Sequence, residues 1–298
     1  MSGTQTVKNG THVPVMMNEV MEALSLKAGD FIIDGTLGGG GHAGEIAKKI
    51  SPGGALLGID RDPAVIERVK IDAPDVKVIL VNANYSDAAA VLADKGLPKA
   101  DGLLLDLGFS SIQLDEGRGF SFMKDEPLLM TYSDDDEPLY RALRRLSKED
   151  LKNVISVSGE RFARKLAEAI WHAERKKPIG TTGELVEVIR SAVPKGYERG
   201  RIHPATRTFL AFRIYINKEL EGLEKVIDSL PQIIKPGGRV AIITFQSLED
   251  RVVKNRFREM AKEGLISIIT KKPIPVSLSE TRDNPRARSA KMRSAIIN

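Results

Sequence analysis

Phe31-Ile32-Ile33-Asp34-Gly35-Thr36-Leu37-Gly38-Gly39-Gly40-Gly41-His42 is the stretch on which the reading of this chain turns. Phe31 to Ile33 is a short apolar run rich in β-branched residues, the composition of a strand buried on both faces of a parallel sheet. Asp34 closes it, and the glycines that follow let the backbone take positive φ and come close to a ligand. His42 then opens a helix. Strand, glycine turn and helix N-terminus make a nucleotide-binding βα unit, and Gly39 to Gly44 fits GxGxxG letter for letter. That fit does not decide the ligand. A pyrophosphate seated over the turn would be repelled by Asp34. S-adenosyl-L-methionine carries a sulfonium and an ammonium and no phosphate, so the same acid attracts it. The turn therefore predicts a methyl donor, with Asp34 and Gly38 as candidate contacts. A merely tightened surface loop is the competing reading, and four consecutive glycines between a strand and a helix argue against it.

Working outward, Met16, Val20, Met21 and Leu24 have the spacing of an amphipathic helix that covers the sheet. Ala55 to Asp60 reads as a second strand, Val76 to Val81 as a third and Asp101 to Leu107 as a fourth. Asp60 lies twenty residues after Gly40, the interval at which such folds set a carboxylate on a ribose. Asp62-Pro63 already caps the following helix, which leaves Asp60 available. Tyr85, just past the third strand, suits either an adenine or ordinary packing. Asp106 ends the fourth strand. Acids at 34, 60 and 106 thus stand at the carboxyl ends of three strands, where open α/β sheets bind their ligands.

From about Leu114 to Arg207 the strand–helix alternation gives way to helical segments, including Leu139–Leu146, Lys148–Val157, Arg161–Arg175 and Thr182–Val193. This predicts an inserted all-helical domain over 114–207 between two methyltransferase parts, 1–113 and 208–298. Thr181 and Glu184 have capping-box spacing. The alternation then resumes with one long helix carrying Phe209, Phe212, Ile216, Leu220 and Leu223. Strands follow at Arg239–Phe245, Leu265–Thr270 and Ala290–Ile297. The fold class is α/β: a seven-stranded, Rossmann-like methyltransferase sheet with a helical insertion.

The 298 residues contain no cysteine, which excludes a disulfide framework, a thiol nucleophile and Cys-ligated metal; the four histidines are scattered, and no metal is expected. The polar start and the short apolar runs predict a cytoplasmic protein without a membrane partner. The +5 charge is uneven. From Arg251 onward twelve Lys/Arg face four Asp/Glu, a net +8, leaving −3 for the first 250 residues. Such a concentration suits a polyanion, as it would a solvated tail.

Several strings, in order, resemble one family: HVPVMMNEV, DGTLGGGGH, GIDRDP, GLLLDLGFSS with Gln113 and Asp115 close behind, RGFSF, HPATRTF, SLEDRVVK and NPRARSAKMR. They are similar to the bacterial ribosomal RNA small subunit methyltransferase H family across about His12 to Arg293. The resemblance implies methyl transfer from S-adenosyl-L-methionine to the exocyclic N4 of a cytidine in 16S rRNA near the decoding centre, within the small ribosomal subunit. It also implies cofactor contacts at Gly40, Gly41 and His42, at Asp60 on the ribose, at Tyr85 beside the adenine, and at Asp106 and Gln113 around the methionine end. The family usually has PLDMRM where Pro127 to Tyr132 read PLLMTY, a Gln at Leu210 and a His at Gln246.

Asp106 is the candidate catalytic residue, because the conjugated N4 amine needs a proton acceptor as it attacks. Phe109 would face the flipped base. The Arg201–Arg213 region and the C-terminal arginines and lysines, with Arg286, Arg288, Lys291 and Arg293 foremost, would hold phosphates. A homo-oligomer is compatible with the sequence. An NAD-dependent oxidoreductase is disfavoured by Asp34, and a non-catalytic RNA-binding module by the three strand-end acids.

Overall fold

The computed structural model describes residues 14–108, 117–134, 136–194, 196–197 and 203–298, with the Arg286 side chain outside that set. The chain divides into two compact units, one running up to 108 and resuming at 222–298, the other within 109–221.

The first unit is built on a mixed sheet. β1 (Phe31–Asp34), β2 (Ala55–Asp60), β3 (Lys77–Asn82), β4 (Ala100–Asp106) and β5 (Ile234–Thr244) run parallel. The last strand, β8 (Lys291–Ile297), enters antiparallel between β5 and β6 (Ile266–Ile268), giving the order 3-2-1-4-5-8-6, and the two-residue β7 (Ile274–Pro275) also pairs with β8. All four residues of β1 are buried, as a strand covered on both faces requires. The order reverses beside β1, which has β2 on one side and β4 on the other, so the switch point lies past its carboxyl end.

Register then decides where the acids point. Asp34 pairs with Gly58 and Leu104, and Asp60 and Asp106 lie two residues further along their strands. Side chains repeat every second residue, so all three carboxylates project from the same face. That face carries α1 (Met17–Leu24), α2 (Gly41–Ile50) and α3 (Pro63–Arg68), whose Val20, Leu24, Ile46, Ile50 and Val65 pack on Ile32, Leu56 and Leu104. α4 (Ala88–Asp94) packs on the opposite face, against Ile33, Leu57 and Leu105.

The second unit is helical: α5 (Leu139–Arg145), α6 (Lys148–Val157), α7 (Ala163–Lys176), α8 (Thr182–Ala192) and α9 (Thr206–Asn217) enclose their own core, which includes Leu143, Leu166, Ile170, Leu185, Phe209 and Phe212. α8 begins with the Thr181–Glu184 capping box read from the sequence. In the PLLMTY string, Thr131 accepts two hydrogen bonds from the Arg118 guanidinium, through its carbonyl and its hydroxyl, and the Tyr132 ring stacks on Phe120.

Past α9 the chain returns to the sheet through α10 (Glu219–Asp228), α11 (Leu230–Ile233) and α12 (Ser247–Lys262), with α13 (Leu278–Asp283) before β8. The expected single long helix is therefore broken. Lys218 turns the backbone at φ 51, and Asn217 Nδ2 donates to the Met130 and Arg213 carbonyls. One apolar stripe serves two cores: Phe209 and Phe212 belong to the helical one, Leu223 to the sheet. This moves the boundary expected at 207 to 221.

Two strand readings also change. β5 starts at Ile234 rather than Arg239, because a register shift lets Ile234 pair with Ala100 ahead of the Gly102–Arg239 pair. β7 brings the strand total above the seven expected, since Pro275 still pairs at an edge position. Among the described residues, no helix is long and apolar enough to cross a membrane.

Candidate active site

The glycine turn is pinned to both neighbours of β1. Gly35 N donates to the Leu104 carbonyl at 2.9 Å, Leu37 N to the Ile59 carbonyl at 3.0 Å, and Gly38 N to Asp60 Oδ2 at 2.9 Å. Gly40, at φ 75, occupies the left-handed region just before α2, and a Cβ there would meet Val69 at 2.8 Å. A Cβ on Gly41 would collide with the Pro14 ring. The glycines at 40 and 41 are thus demanded by backbone shape and by close packing.

Thr36 links two of the acids. Its N–H donates to Asp34 Oδ1 at 3.1 Å, an Asx turn, while its hydroxyl accepts the Asp106 N–H at 2.6 Å. The second oxygen of each acid is different. Asp34 Oδ2 and Asp106 Oδ1 are buried and have no hydrogen-bond partner among the described residues. Burial accordingly pushes both carboxyls up, Asp34 to about 6 and Asp106 to about 7. Nearby His42 works against the rise at Asp34, and the backbone N–H of Gly108 against that at Asp106. A buried carboxylate oxygen without a donor is costly, and a cationic ligand would relieve it.

His42, in the first turn of α2, is 7% exposed and lies with Nδ1 3.7 Å from Asp106 Oδ2. Its Nε2 contacts the Val15 carbonyl at 2.9 Å. A carbonyl only accepts, so Nε2 carries the proton, and burial lowers the ring's basicity.

Asp60 is half-buried and organises the turn. Besides Gly38 it accepts from Asp62 N at 3.0 Å, and burial raises its pKa. Asp62 caps α3 by accepting from Ala64 N, as the sequence predicts. Tyr85 opens a short 3-10 turn after β3 and packs with the Ile33 face, not the acid face; a Cβ on Gly35 would lie 3.1 Å from the Tyr85 Cβ. The structure thus gathers Asp34, Gly38, Gly40, Gly41, His42, Asp60 and Asp106 around the turn. Gln113 and Phe109 lie outside the described residues.

Two contributors escape a reading of the sequence. Thr36 had a signal, since an Asp-Gly-Thr step invites an Asx turn. Glu280 had none: it lies on α13, and its Oε1 accepts the Met16 N–H at 2.8 Å.

The C-terminal cations also separate. Arg293 is 6% exposed and is paired with an acid, its Nε donating to Asp250 Oδ1 at 2.6 Å, at the wall of the groove between α12 and β6. Arg213 is likewise committed, its Nε 2.7 Å from Glu219 Oε1. The chain buries these two guanidinium groups against acids because an unpaired charge could not stay inside. Arg288 and Lys291 are exposed, and Lys254, Arg258 and Lys271 line that open groove of about 450 Å³. Gln246 donates from Nε2 to Glu249 Oε1 at the start of α12.

Buried carboxylates gathered at the switch point of a parallel sheet suit a cationic nucleoside better than a phosphorylated one. That chemistry places the chain among the α/β methyltransferases that use S-adenosyl-L-methionine. Its family is equally definite: the chain belongs to the MraW methylase family, whose model matches residues 9–297. It is 42% identical over 301 residues to Ribosomal RNA small subunit methyltransferase H of Clostridium botulinum (strain Kyoto / Type A2), covering 95% of this chain and 97% of that one. The protein of the same name from Symbiobacterium thermophilum is 42% identical over 306 residues, covering 96% of each.

Proposed function

We propose that this enzyme transfers a methyl group from S-adenosyl-L-methionine to the exocyclic N4 of a cytidine in 16S rRNA, near the decoding centre of the small ribosomal subunit. The observation that carries this reading is the pair of buried oxygens, Asp34 Oδ2 and Asp106 Oδ1, beside the glycine turn, neither of which has a hydrogen-bond partner among the described residues. They fit a ligand bearing positive charge and no phosphate. S-adenosyl-L-methionine supplies an electrophilic methyl on its sulfonium.

Within the chain, Gly38, Gly40 and Gly41 let the backbone approach the nucleoside, Asp60 holds the ribose, and Tyr85 borders the adenine. Asp34 supplies negative charge. Asp106 takes the proton that N4 loses as the new N–C bond forms, a role suited to a carboxyl whose pKa stands near 7. The helical unit selects the RNA, and the groove cations Lys254, Arg258 and Lys271 hold phosphates without reading bases.

The decisive experiment incubates the protein with labelled S-adenosyl-L-methionine and small subunits lacking the modification, then maps the label. Label on a cytidine N4 of 16S rRNA is expected. Label at another atom or another RNA would replace this reading, and no label on any RNA would end it.

A further inference from the structure

We propose that Glu280 is a positioning residue for the active site, holding His42 in place through the single peptide group that joins Val15 to Met16. The proposal rests on reading the acids around the glycine turn as the methyl-transfer site. Three remote parts of the chain meet at that peptide. Its carbonyl, on Val15, accepts a hydrogen bond from His42 Nε2–H with the heavy atoms 2.9 Å apart, and its N–H, on Met16, donates to Glu280 Oε1 at 2.8 Å. A peptide group is planar and stiff, so anchoring its N–H also fixes the direction of its carbonyl. The carbonyl in turn selects the tautomer: with Nε2 protonated, the lone pair of a neutral ring lies on Nδ1, the atom 3.7 Å from Asp106 Oδ2.

The surroundings indicate that this peptide is held rather than incidental. Met16 has φ 56, a left-handed conformation uncommon for a residue with a side chain, and it is fully buried. Val15 is also buried, at 3% exposure. Glu280 itself is fixed, since its N–H donates to Ser277 Oγ and its carbonyl accepts from Asn284 N. Past the Asn284-Pro285 step, Ala287 is fully buried against the α1 side of the sheet, which anchors the segment carrying Glu280. The NPRARS string thereby acquires a role inside the fold.

An anion on the N–H also polarises the peptide and strengthens its carbonyl as an acceptor, so the two hydrogen bonds reinforce each other. Among the described residues, the charged groups facing His42 are Asp34 from β1, Asp106 from β4 and Glu280 from α13. Glu280 raises the basicity of both His42 and Asp106, against the dominant effect of burial on the ring.

The test compares Glu280→Ala, Glu280→Gln and wild type by the ¹⁵N shifts of the His42 ring in the protein alone, together with kcat and KM. Gln keeps an oxygen that can accept the Met16 N–H, whereas Ala does not. Wild type is expected to show one tautomer, with Nε2 protonated. Glu280→Ala should give mixed tautomers and lose about 10- to 100-fold in kcat at nearly constant KM for RNA, the scale for removing a group that orients a site residue. Glu280→Gln should keep the single tautomer and most of kcat, while the pH at which turnover rises moves down. An unchanged tautomer in Glu280→Ala overturns the proposal. So does equal loss of turnover in both variants. Should Glu280→Ala not fold, a mixed tautomer or a large loss of kcat in Glu280→Gln overturns it alone. Because the ring shifts are read without cofactor or RNA, they stand whether or not cytidine N4 proves to be the acceptor.

Discussion

The hydroxyl of Thr36 accepts the backbone N–H of Asp106 at 2.6 Å, tying the turn after β1 to the end of β4. Without it that N–H would lose its acceptor beside two desolvated carboxyls. Thr36→Val should therefore cost about 1–3 kcal/mol of stability, the range for stranding a buried polar group. Thr36→Ser, which keeps the oxygen, should recover most of it. Equal denaturation midpoints for the Val and Ser variants would show that the hydroxyl does not matter.

The raised carboxyls make cofactor binding pH-dependent. Asp34 at about 6 and Asp106 at about 7 stand above the ordinary 3.8, so each stabilises the fold most below that ordinary value and loses the contribution as pH rises through its folded pKa. A cationic ligand prefers the ionised forms. Affinity for S-adenosyl-L-methionine should rise between pH 5 and 7, with net release of protons measurable by calorimetry in buffers of different ionisation enthalpy. Asp34→Asn and Asp106→Asn should each flatten the rise. Net proton uptake on binding would contradict this account.

If Asp106 is the proton acceptor, Asp106→Asn should lower kcat by about 10²- to 10⁴-fold, the usual contribution of a general base. Binding of the cofactor should suffer far less. Single-turnover rates with labelled donor separate the two effects, and a kcat within a few fold of wild type would move the role to another group.

Asp60 accepts from Gly38 and Asp62 and is the acid assigned to the ribose. Asp60→Ala should weaken cofactor binding by about 1–3 kcal/mol, as for losing hydrogen bonds to a charged group. Calorimetry showing unchanged affinity would take Asp60 out of the site.

The basic C-terminal region should divide under mutation. Breaking the buried Arg293–Asp250 pair with Arg293→Ala should destabilise the fold by about 3–5 kcal/mol while leaving the salt dependence of RNA binding as it was. Neutralising Lys254, Arg258 and Lys271 should do the reverse. Each lost phosphate contact lowers the slope of log affinity against log salt by about 0.7 for a single strand. A slope that ignores all three groove cations would place the RNA elsewhere.

Much of this molecule was legible in its sequence, because the decisive features are local. A buried parallel strand must be apolar, a ligand turn must bend where only glycine bends easily, and an acid at a strand end has no packing role to explain it. Phe31 to His42, with Asp60 and Asp106, therefore announced the sheet, its switch point and a cationic ligand. Period alone cannot say which core a stripe of apolar residues fills. Only the folded chain showed that Phe212 and Leu223 lie in different cores, with Lys218 turning between them. Charge summed along a sequence is equally blind to pairing. Arg293 and Arg213 look like phosphate ligands until tertiary contacts set them against Asp250 and Glu219. Glu280 is the extreme case: it meets Met16 across 264 positions of sequence, a distance that no local pattern records.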